Sequence, residues 1–173
     1  MNRLLTATLL IAALALTGCT RPDRFAGGDA AGGVPGAGLD PNALAGGAND
    51  PRSPAYFSQT IGDRVLFAVD QSTLTPQAQA TLDGQAQWLL ANSDYLAVIE
   101  GHADEQGTRE YNVALGARRA NAVREYLISR GVPDSRLRTI SYGKERPIAV
   151  CSDESCYAQN RRAVTIISIG SLS

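Results

Sequence analysis

The pattern of apolar and polar positions divides the chain into three parts. Residues 4–16 form a nearly continuous apolar run behind one basic residue, Arg3. Residues 20–55 are rich in glycine, alanine and proline and contain few large apolar side chains. Beyond them, apolar residues recur with the periods of helices and strands. The pattern predicts a cleaved leader over residues 1–18, a flexible segment over 19–55 and one folded domain over 56–173.

Two main helices and four strands are predicted within the folded domain. Short apolar runs predict the strands, and apolar residues three or four positions apart predict the helices. Thr75 followed by Pro76 is typical of a helix start, and Gly131 is typical of a helix end. The strands are expected at 64–69, 95–101, 137–142 and 163–169, and the helices at 75–92 and 109–130, with a short helix at 153–160. This order predicts an α/β sandwich in which two main helices cross one four-stranded mixed sheet.

The second helix should pack on the sheet through one face. The residues expected on that inner face are Tyr111, Leu115, Ala122, Tyr126 and Leu127.

The apolar run near the start has the length of a signal peptide. Its 13 residues fall short of the roughly 20 that cross a bilayer as a helix. The run ends in Leu16, Thr17, Gly18 and Cys19, which resembles the lipobox of bacterial lipoproteins, whose cysteine is lipidated and becomes the mature first residue. Thr20 stands where aspartate would resemble an inner-membrane retention signal. The resemblance therefore implies a lipid anchor in the outer membrane with the domain in the periplasm, and an ordinary secretory signal is the alternative.

Charge and cysteine content narrow the class of protein. The formal net charge is −1, without the basic excess that nucleic-acid binding needs. Two further cysteines, Cys151 and Cys156, follow a signal that leads to an oxidising compartment, so we expect a disulfide between them. A redox-active or metal-binding pair is the alternative, but the spacing is not C-x-x-C and no histidine lies nearby.

The only histidine stands beside two acids in the stretch GHADEQG. His102, Asp104 and Glu105 could be metal ligands, but a zinc site uses three or four ligands and commonly several histidines or cysteines. Glycoside hydrolysis by Asp70 with Asp104 or Glu105 is another hypothesis, for which two acids in loops are weak support. We therefore expect no metal site, no cofactor besides lipid on Cys19 and no enzymatic activity. His102 is interpreted as a hydrogen-bonded residue at a strand end.

An acid paired with an arginine offers a better-defined hypothesis. Asp70 and Asp104 each follow a predicted strand, and open α/β sheets bind ligands at the carboxyl ends of their strands. Arg118 and Arg119 lie about ten residues into the next helix, where at most one can face the same crevice. A carboxylate and a guanidinium at fixed separation suit a ligand that carries an ammonium and a carboxylate group. An internal ion pair between Asp104 and Arg119 would explain the same spacing, which leaves both interpretations open.

A family resemblance rests on three motifs. GHADEQGTREYNVALGARRANAV, which begins at Gly101, resembles the signature of OmpA-like peptidoglycan-binding domains. SYGKERP at 141–147 and NRRAV at 160–164 strengthen the resemblance, which covers about residues 60–169. It implies a βαβαββ fold and, as ligand, the meso-diaminopimelate of the peptidoglycan stem peptide.

The resemblance also implies site residues by position. Asp104 corresponds to the acid that receives the ammonium group of the ligand, and Arg119 to the arginine that holds its carboxylate group. Asp70 would line the same pocket, Asn112 would order the loop or touch the ligand, and Leu115 would pack beneath it. Lipid-anchored members usually have an aromatic residue before the acid at position 70, where this chain has Val69.

The lipobox and the flexible segment agree with lipid-anchored members of the family rather than with barrel-anchored or motor-stator members. The resemblance therefore implies an outer-membrane lipoprotein that binds peptidoglycan non-covalently and tethers the membrane to the wall. It further implies a place in the Tol system, in envelope integrity and cell division, with TolB and other Tol proteins as partners. A wall-binding lipoprotein outside the Tol system is the alternative.

Overall fold

The computed structural model describes residues 47–170; the predicted leader, Cys19 and the rest of the segment up to residue 46 lie outside the described residues. The elements are α1 (Pro54–Tyr56), a π-helical turn (Phe57–Gly62), β1 (Arg64–Leu66), α2 (Pro76–Ala91), β2 (Tyr95–His102), α3 (Arg109–Ser129), a 3-10 turn (Asp134–Arg136), β3 (Leu137–Gly143), α4 (Glu154–Asn160) and β4 (Arg162–Ile169). None of the helices in this part of the chain is both long and apolar enough to span a bilayer.

The four strands form one mixed sheet in the order β1-β4-β2-β3. β2 and β3 run parallel, with Ile99 opposite Thr139, whereas β4 is antiparallel to both β1 and β2. Because parallel neighbours need a crossover connection, α3 carries the chain from β2 to β3 across one face of the sheet. The predicted α/β sandwich with two main helices on a four-stranded mixed sheet is confirmed.

Threonine caps and a glycine stop define the two main helices. The Thr75 hydroxyl oxygen accepts a hydrogen bond from the Ala78 amide at 3.1 Å, and Pro76 occupies the first position of α2. Thr108 caps α3 in the same way. Just beyond α3, Gly131 adopts a φ of 98°, a left-handed conformation that favours glycine and ends the helix.

The core lies between the sheet and the two main helices. β2 contributes Ala97 and Ile99, which are fully buried. The fully buried helix residues that pack with them are Leu82, Leu89, Ala120, Val123 and Leu127. At the carboxyl end of β2, a Cβ atom on Gly101 would lie 1.8 Å from the carbonyl oxygen of Gly116. Because only glycine permits this approach, α3 lies directly against the strand end that leads to Asp104.

At the opposite end of β2, three aromatic rings pack together. The ring centroids of Phe57 and Trp88 are 5.0 Å apart, and those of Trp88 and Tyr95 are 4.9 Å apart. The Trp88 indole donates to the Pro51 carbonyl at 2.7 Å, and the Tyr95 hydroxyl donates to the Arg52 carbonyl at 3.1 Å. Pro51 and Arg52, which belong to the predicted flexible segment, therefore contact the folded domain.

The first strand ends at Leu66, three residues earlier than predicted. The Gln71 amide donates to the Ala68 carbonyl at 3.2 Å, and Asp70 adopts a φ of 57°, so the chain turns away from the sheet. This turn places the Asp70 carboxylate beside the first turn of α3, where the Tyr111 hydroxyl donates to it.

The inner face of α3 also differs from the prediction. Leu115 and Leu127 are buried as expected, but Tyr111 is 43% exposed and Ala122 and Tyr126 are half-buried. The buried residues of α3 are Asn112, Leu115, Gly116, Arg119, Ala120, Val123 and Leu127. Two of these side chains are polar, which is why apolar periodicity alone misplaced the face.

The connection between β3 and β4 has structure of its own. Cys151 and Cys156 form a disulfide, with Cα atoms 5.8 Å apart, around the start of α4. The Asn160 side-chain oxygen accepts hydrogen bonds from the amides of Ile148 and Ala149 at 2.9 and 3.1 Å. The connection is therefore held at both ends before it leads into β4.

Candidate functional site

A cavity of about 260 Å³ opens where the loops after β1 and β2 meet the first turns of α3. Its lining residues are Val69, Asp70, Asp104, Gln106, Gly107, Tyr111, Asn112 and Leu115. Four of the five residues predicted for ligand binding are among them: Asp70, Asp104, Asn112 and Leu115. The fifth, Arg119, is fully buried and does not line the cavity.

The loop after β2 folds back along α3 and so brings Asp104 beside the helix. Gly107 adopts a φ of 89°, which a residue with a side chain rarely tolerates. The Asn112 side-chain amide donates to the Gln106 carbonyl at 2.8 Å, and the Lys144 ammonium donates to the Gly107 carbonyl at 2.8 Å. The loop is therefore fixed from α3 on one side and from the β3–β4 connection on the other.

Asp104 presents a nearly buried carboxylate, with 10% of its side chain exposed. Its Oδ1 accepts a hydrogen bond from the Gln106 amide at 3.3 Å. Its Oδ2 accepts one from Nη1 of Arg161 at 3.1 Å. The ion pair of Asp104 is thus with Arg161 and not, as one interpretation of the sequence had it, with Arg119.

Arg161 is the residue that sequence reasoning missed. It is buried, donates from Nε to the Phe67 carbonyl at 3.2 Å, and contacts both carboxylate oxygens of Glu154. The hydrogen bond that Arg161 donates to Glu154 raises the pKa of Arg161 and lowers the pKa of Glu154. The NRRAV motif contains Arg161, but no spacing rule connects it to an acid 57 positions earlier.

Arg119 is a buried cation that binds backbone carbonyls. Its guanidinium donates to the carbonyls of Gln71 at 2.8 Å, His102 at 2.8 Å and Ala68 at 3.2 Å. Within residues 47–170, no carboxylate oxygen lies within 4.0 Å of it. Burial lowers the pKa of Arg119 to about 10, against the opposing effect of the Asp104 charge, so the side chain remains protonated at neutral pH.

Asn112 lines the cavity and has a buried side-chain oxygen. The residue is 1% exposed, and its Oδ1 accepts no hydrogen bond from any described group. A buried acceptor without a donor is unusual in a native structure. At the rim, Val69 is 53% exposed next to Tyr111. The floor of the cavity thus offers acceptors, and its rim offers apolar and aromatic surface.

His102 is buried at the end of β2, but among the described residues its ring does not make the hydrogen bonds that we predicted. Both ring nitrogens lack a hydrogen-bond partner among the described residues, and the nearest carboxylate oxygen, on Glu100, is 3.6 Å from Nε2. The ring stacks on Tyr142, with centroids 5.7 Å apart. Burial, together with the positive charges of Arg162 and Arg146, lowers the pKa of His102 to about 4. A neutral imidazole packs here because the surroundings are apolar and cationic.

The grouping of His102, Asp104 and Glu105 that the sequence suggested does not form a common site. Glu105 is exposed and does not line the cavity. Between residues 47 and 170, the one cluster with converging potential metal ligands is Cys151, Asp153 and Cys156, whose two sulfur atoms are bonded to each other.

The arrangement is suited to a ligand with two opposite charges. Asp70, Asp104 and Oδ1 of Asn112 can accept hydrogen bonds from a cation at the cavity. Three of the five N–H donors of the buried Arg119 bind carbonyl groups, and the other two could bind an anion if the guanidinium became accessible from the cavity. An ammonium group and a carboxylate group close together on one molecule fit this order of charges.

A family model and individual relatives match the chain. The OmpA family model matches residues 66–161, more than half of the chain. The peptidoglycan-associated lipoprotein of Rhizobium meliloti (strain 1021) is 54% identical over 158 residues, which are 91% of this chain and 84% of the relative. The peptidoglycan-associated lipoprotein of Pseudomonas aeruginosa is 44% identical over 160 residues, which are 90% of this chain and 92% of the relative.

Solved structures agree with these matches. The crystal structure of the peptidoglycan-associated lipoprotein from Burkholderia pseudomallei has a TM-score of 0.62 at 41% identity and covers 70% of this chain and 98% of its own. The C-terminal domain of Helicobacter pylori MotB has a TM-score of 0.58 at 22% identity, covers 62% of this chain and 85% of its own, and supports the fold alone. The chain belongs to the OmpA family and, within it, to the peptidoglycan-associated lipoproteins.

Proposed function

We propose that the domain binds peptidoglycan non-covalently by taking the meso-diaminopimelate side chain of the stem peptide into the cavity beside Asp104. The observation that carries this proposal is Arg119: its fully buried guanidinium has no acidic partner among residues 47–170, and it binds the carbonyls of Ala68 and Gln71, which flank the cavity residues Val69 and Asp70. A buried, unpaired charge destabilises a fold, and a ligand carboxylate would relieve that cost. The names of the relatives support the same class of ligand.

In this mechanism the two charges of the ligand have separate partners. The ammonium group binds the Asp104 carboxylate and Oδ1 of Asn112, with Asp70 nearby. The carboxylate group on the same carbon binds Arg119. Since two of the carbonyls that hold Arg119 belong to the loop after β1, at Ala68 and Gln71, this loop shifts when the ligand carboxylate enters.

Selectivity against lysine-type peptidoglycan follows from Arg119. Lysine has the side-chain ammonium but lacks the carboxylate on the same carbon, so it leaves Arg119 unpaired. A charge-assisted hydrogen bond contributes about 1.5–3 kcal/mol, which corresponds to about ten- to 100-fold in affinity.

Calorimetric titration with stem peptides that carry diaminopimelate or lysine tests this proposal. The wild-type protein should bind the diaminopimelate peptide at least about tenfold more tightly. The Arg119→Gln variant should bind both peptides equally weakly, whereas the matched variant Arg118→Gln, altered at an exposed position, should keep the discrimination. Equal binding of both peptides by the wild-type protein, or preserved discrimination in Arg119→Gln, would overturn the site assignment.

In the cell, the proposed role is that of a tether between the two outer layers of the envelope. Lipid on Cys19 would hold the protein in the outer membrane, and the domain would bind the peptidoglycan of the wall. Each buried methylene of an acyl chain contributes about 0.8 kcal/mol, so two or three chains anchor the protein stably. Incorporation of labelled fatty acid should occur in the wild-type protein and be lost in Cys19→Ser.

The proposed role includes the Tol-Pal system in envelope integrity and cell division, with TolB as a partner that excludes peptidoglycan. A pull-down with TolB should recover the protein, and excess diaminopimelate stem peptide should reduce the recovery. A protein that binds sacculi but not TolB would instead be a wall-binding lipoprotein outside the Tol system. Purified sacculi incubated with the protein should release no soluble fragments, as expected of a binding protein rather than an enzyme.

A further inference from the structure

Arg161 binds two carboxylates. One belongs to Asp104, which lines the cavity, and the other belongs to Glu154, which lies outside the cavity in the connection before β4. We propose that Glu154 is a positioning residue for the ligand site: by binding Arg161, it keeps the Asp104 carboxylate available to the ammonium group of the ligand. This inference rests on the proposed function and names a residue that acts on the same site from outside it.

The geometry links the three side chains in series. Nη1 of Arg161 is shared between Oδ2 of Asp104 at 3.1 Å and Oε2 of Glu154 at 3.3 Å, while Nη2 of Arg161 binds Oε1 of Glu154. The Arg161 and Asp104 side chains are 5% and 10% exposed, and the Glu154 side chain is 66% exposed. Glu154 therefore reaches from the surface to the guanidinium that lies behind the cavity.

Arg161 competes with the ligand for Asp104. The carboxylate of Asp104 offers about four acceptor sites, and the Gln106 amide and Arg161 use two of them. Without Glu154, Asp104 would be the only carboxylate paired with Arg161, and the two side chains together would be neutral. With Glu154, the three side chains carry a net charge of −1, which attracts an ammonium group.

The disulfide holds Glu154 in place for this role. Cys151 and Cys156 close a short loop that contains Glu154, the first residue of α4. Asp153 caps the same helix by accepting from the amides of Ser155 at 2.9 Å and Cys156 at 3.3 Å. The backbone at Glu154 is thus fixed on both sides, which reduces the entropy lost when its side chain binds Arg161.

The test is calorimetry of Glu154→Gln with two forms of the diaminopimelate stem peptide, one with the free side-chain ammonium and one with that amine acetylated. The variant should bind the free-amine peptide about three- to fivefold more weakly and the acetylated peptide as the wild type does. Its Tm should stay within about 2 °C of the wild type, since the Glu154 side chain is largely exposed and Arg161 keeps Asp104 as a partner. Glu145→Gln is the matched control, because Glu145 lies in the same connection and pairs with Arg109 at 3.0 Å, away from Asp104.

Each other result counts against the inference. Wild-type affinity in Glu154→Gln, or an equal loss for both peptides, would overturn the positioning role and leave the proposed function intact. A wild-type protein that binds neither peptide would overturn both. Because the disulfide should act through Glu154, Cys151→Ser/Cys156→Ser should weaken binding of the free-amine peptide by about twofold in the wild-type background and by nothing further in Glu154→Gln. A full additive loss in the triple variant would contradict the coupling.

Discussion

The two ends of strand β2 are buried to a similar extent but are built from different chemistry. At the Tyr95 end, the buried side chains are mainly apolar or aromatic, and the polar atoms of Trp88 and Tyr95 donate to backbone carbonyls. At the other end, the buried side chains include the polar residues His102, Asp104, Asn112, Arg119 and Arg161, and some of their polar atoms have no partner among the described residues. The Tyr95 end supports the fold, and the other end is where we propose that the ligand binds.

The two ends have opposite effects on the stability of the fold. Burial of apolar area stabilises a domain by about 25 cal/mol per Å², whereas burial of a polar group without a partner destabilises it. The Tyr95 end therefore offsets the cost of the charged end. Substitutions at the two ends should separate stability from binding.

The largest effect is expected from Leu89→Ala at the apolar end. Leu89 is fully buried beside Trp88, and a Leu→Ala change of this kind lowers the free energy of unfolding by about 2–5 kcal/mol. Denaturant titration measures this loss. The neighbouring Leu90, 48% exposed, is the control, and Leu90→Ala should change the free energy of unfolding by less than about 0.5 kcal/mol. The affinity of folded Leu89→Ala for the stem peptide should equal that of the wild type.

The next effect is expected from Asp104→Asn at the charged end, with the opposite signature. Loss of the carboxylate should weaken binding of the diaminopimelate peptide by about ten- to 100-fold, because the ammonium loses its charge-assisted hydrogen bond. The free energy of unfolding should fall by only about 1 kcal/mol, since Arg161 keeps Glu154 as a partner. Calorimetry and denaturant titration measure the two quantities. Glu105→Gln should leave both unchanged, and a binding loss in that control as large as in Asp104→Asn would contradict the assignment.

An effect of similar size, on stability rather than on binding, is expected from acid titration of His102. Its pKa is lowered from 6.5 to about 4, so between these values the unfolded chain binds the proton more readily than the folded protein. This contribution to stability is therefore complete above about pH 6.5 and is lost as the pH falls toward 4, by about 2–3 kcal/mol. The charged groups around the ring are Glu100, Arg146 and Arg162. In His102→Leu, the free energy of unfolding should depend less steeply on pH across this window, and an unchanged slope would refute the prediction.

The smallest effect is expected at the rim. Val69→Tyr adds an aromatic ring beside the cavity, where Val69 is 53% exposed, and should strengthen binding of the stem peptide by about two- to fivefold. Leu66→Tyr, at a residue of similar exposure in β1 that does not line the cavity, should leave the affinity unchanged. Calorimetric comparison of the two variants decides whether position or mere added aromatic area matters.

Periodicity predicted the apolar end well and the charged end poorly. The main helices and strands follow from apolar spacing, and Thr75 and Gly131 mark helix boundaries because their roles are local. Their positions after predicted strands assigned Asp70 and Asp104 to one crevice, whereas Asn112 and Leu115 were assigned by the family resemblance alone. Local sequence patterns thus predict the helices and strands but not the contacts between distant loops.

The remaining features depend on contacts that no local pattern contains. Arg161 meets Asp104 across 57 positions, so its role could not be read from its neighbours. The turn at Asp70 requires a left-handed conformation at a residue other than glycine. Arg119 is buried although it is charged, because three backbone carbonyls accept hydrogen bonds from its guanidinium. Charged residues are predicted to be exposed, and sequence patterns fail where a site buries them.

The most direct test of the account is a crystal structure of the domain with a stem peptide that contains meso-diaminopimelate. We predict that the side-chain ammonium lies within about 3.2 Å of an Asp104 oxygen and that the carboxylate on the same carbon lies within about 3.2 Å of the Arg119 guanidinium, with the loop after β1 displaced. A peptide bound elsewhere on the domain, or one whose carboxylate faces solvent while Arg119 keeps its three carbonyl partners, would contradict it.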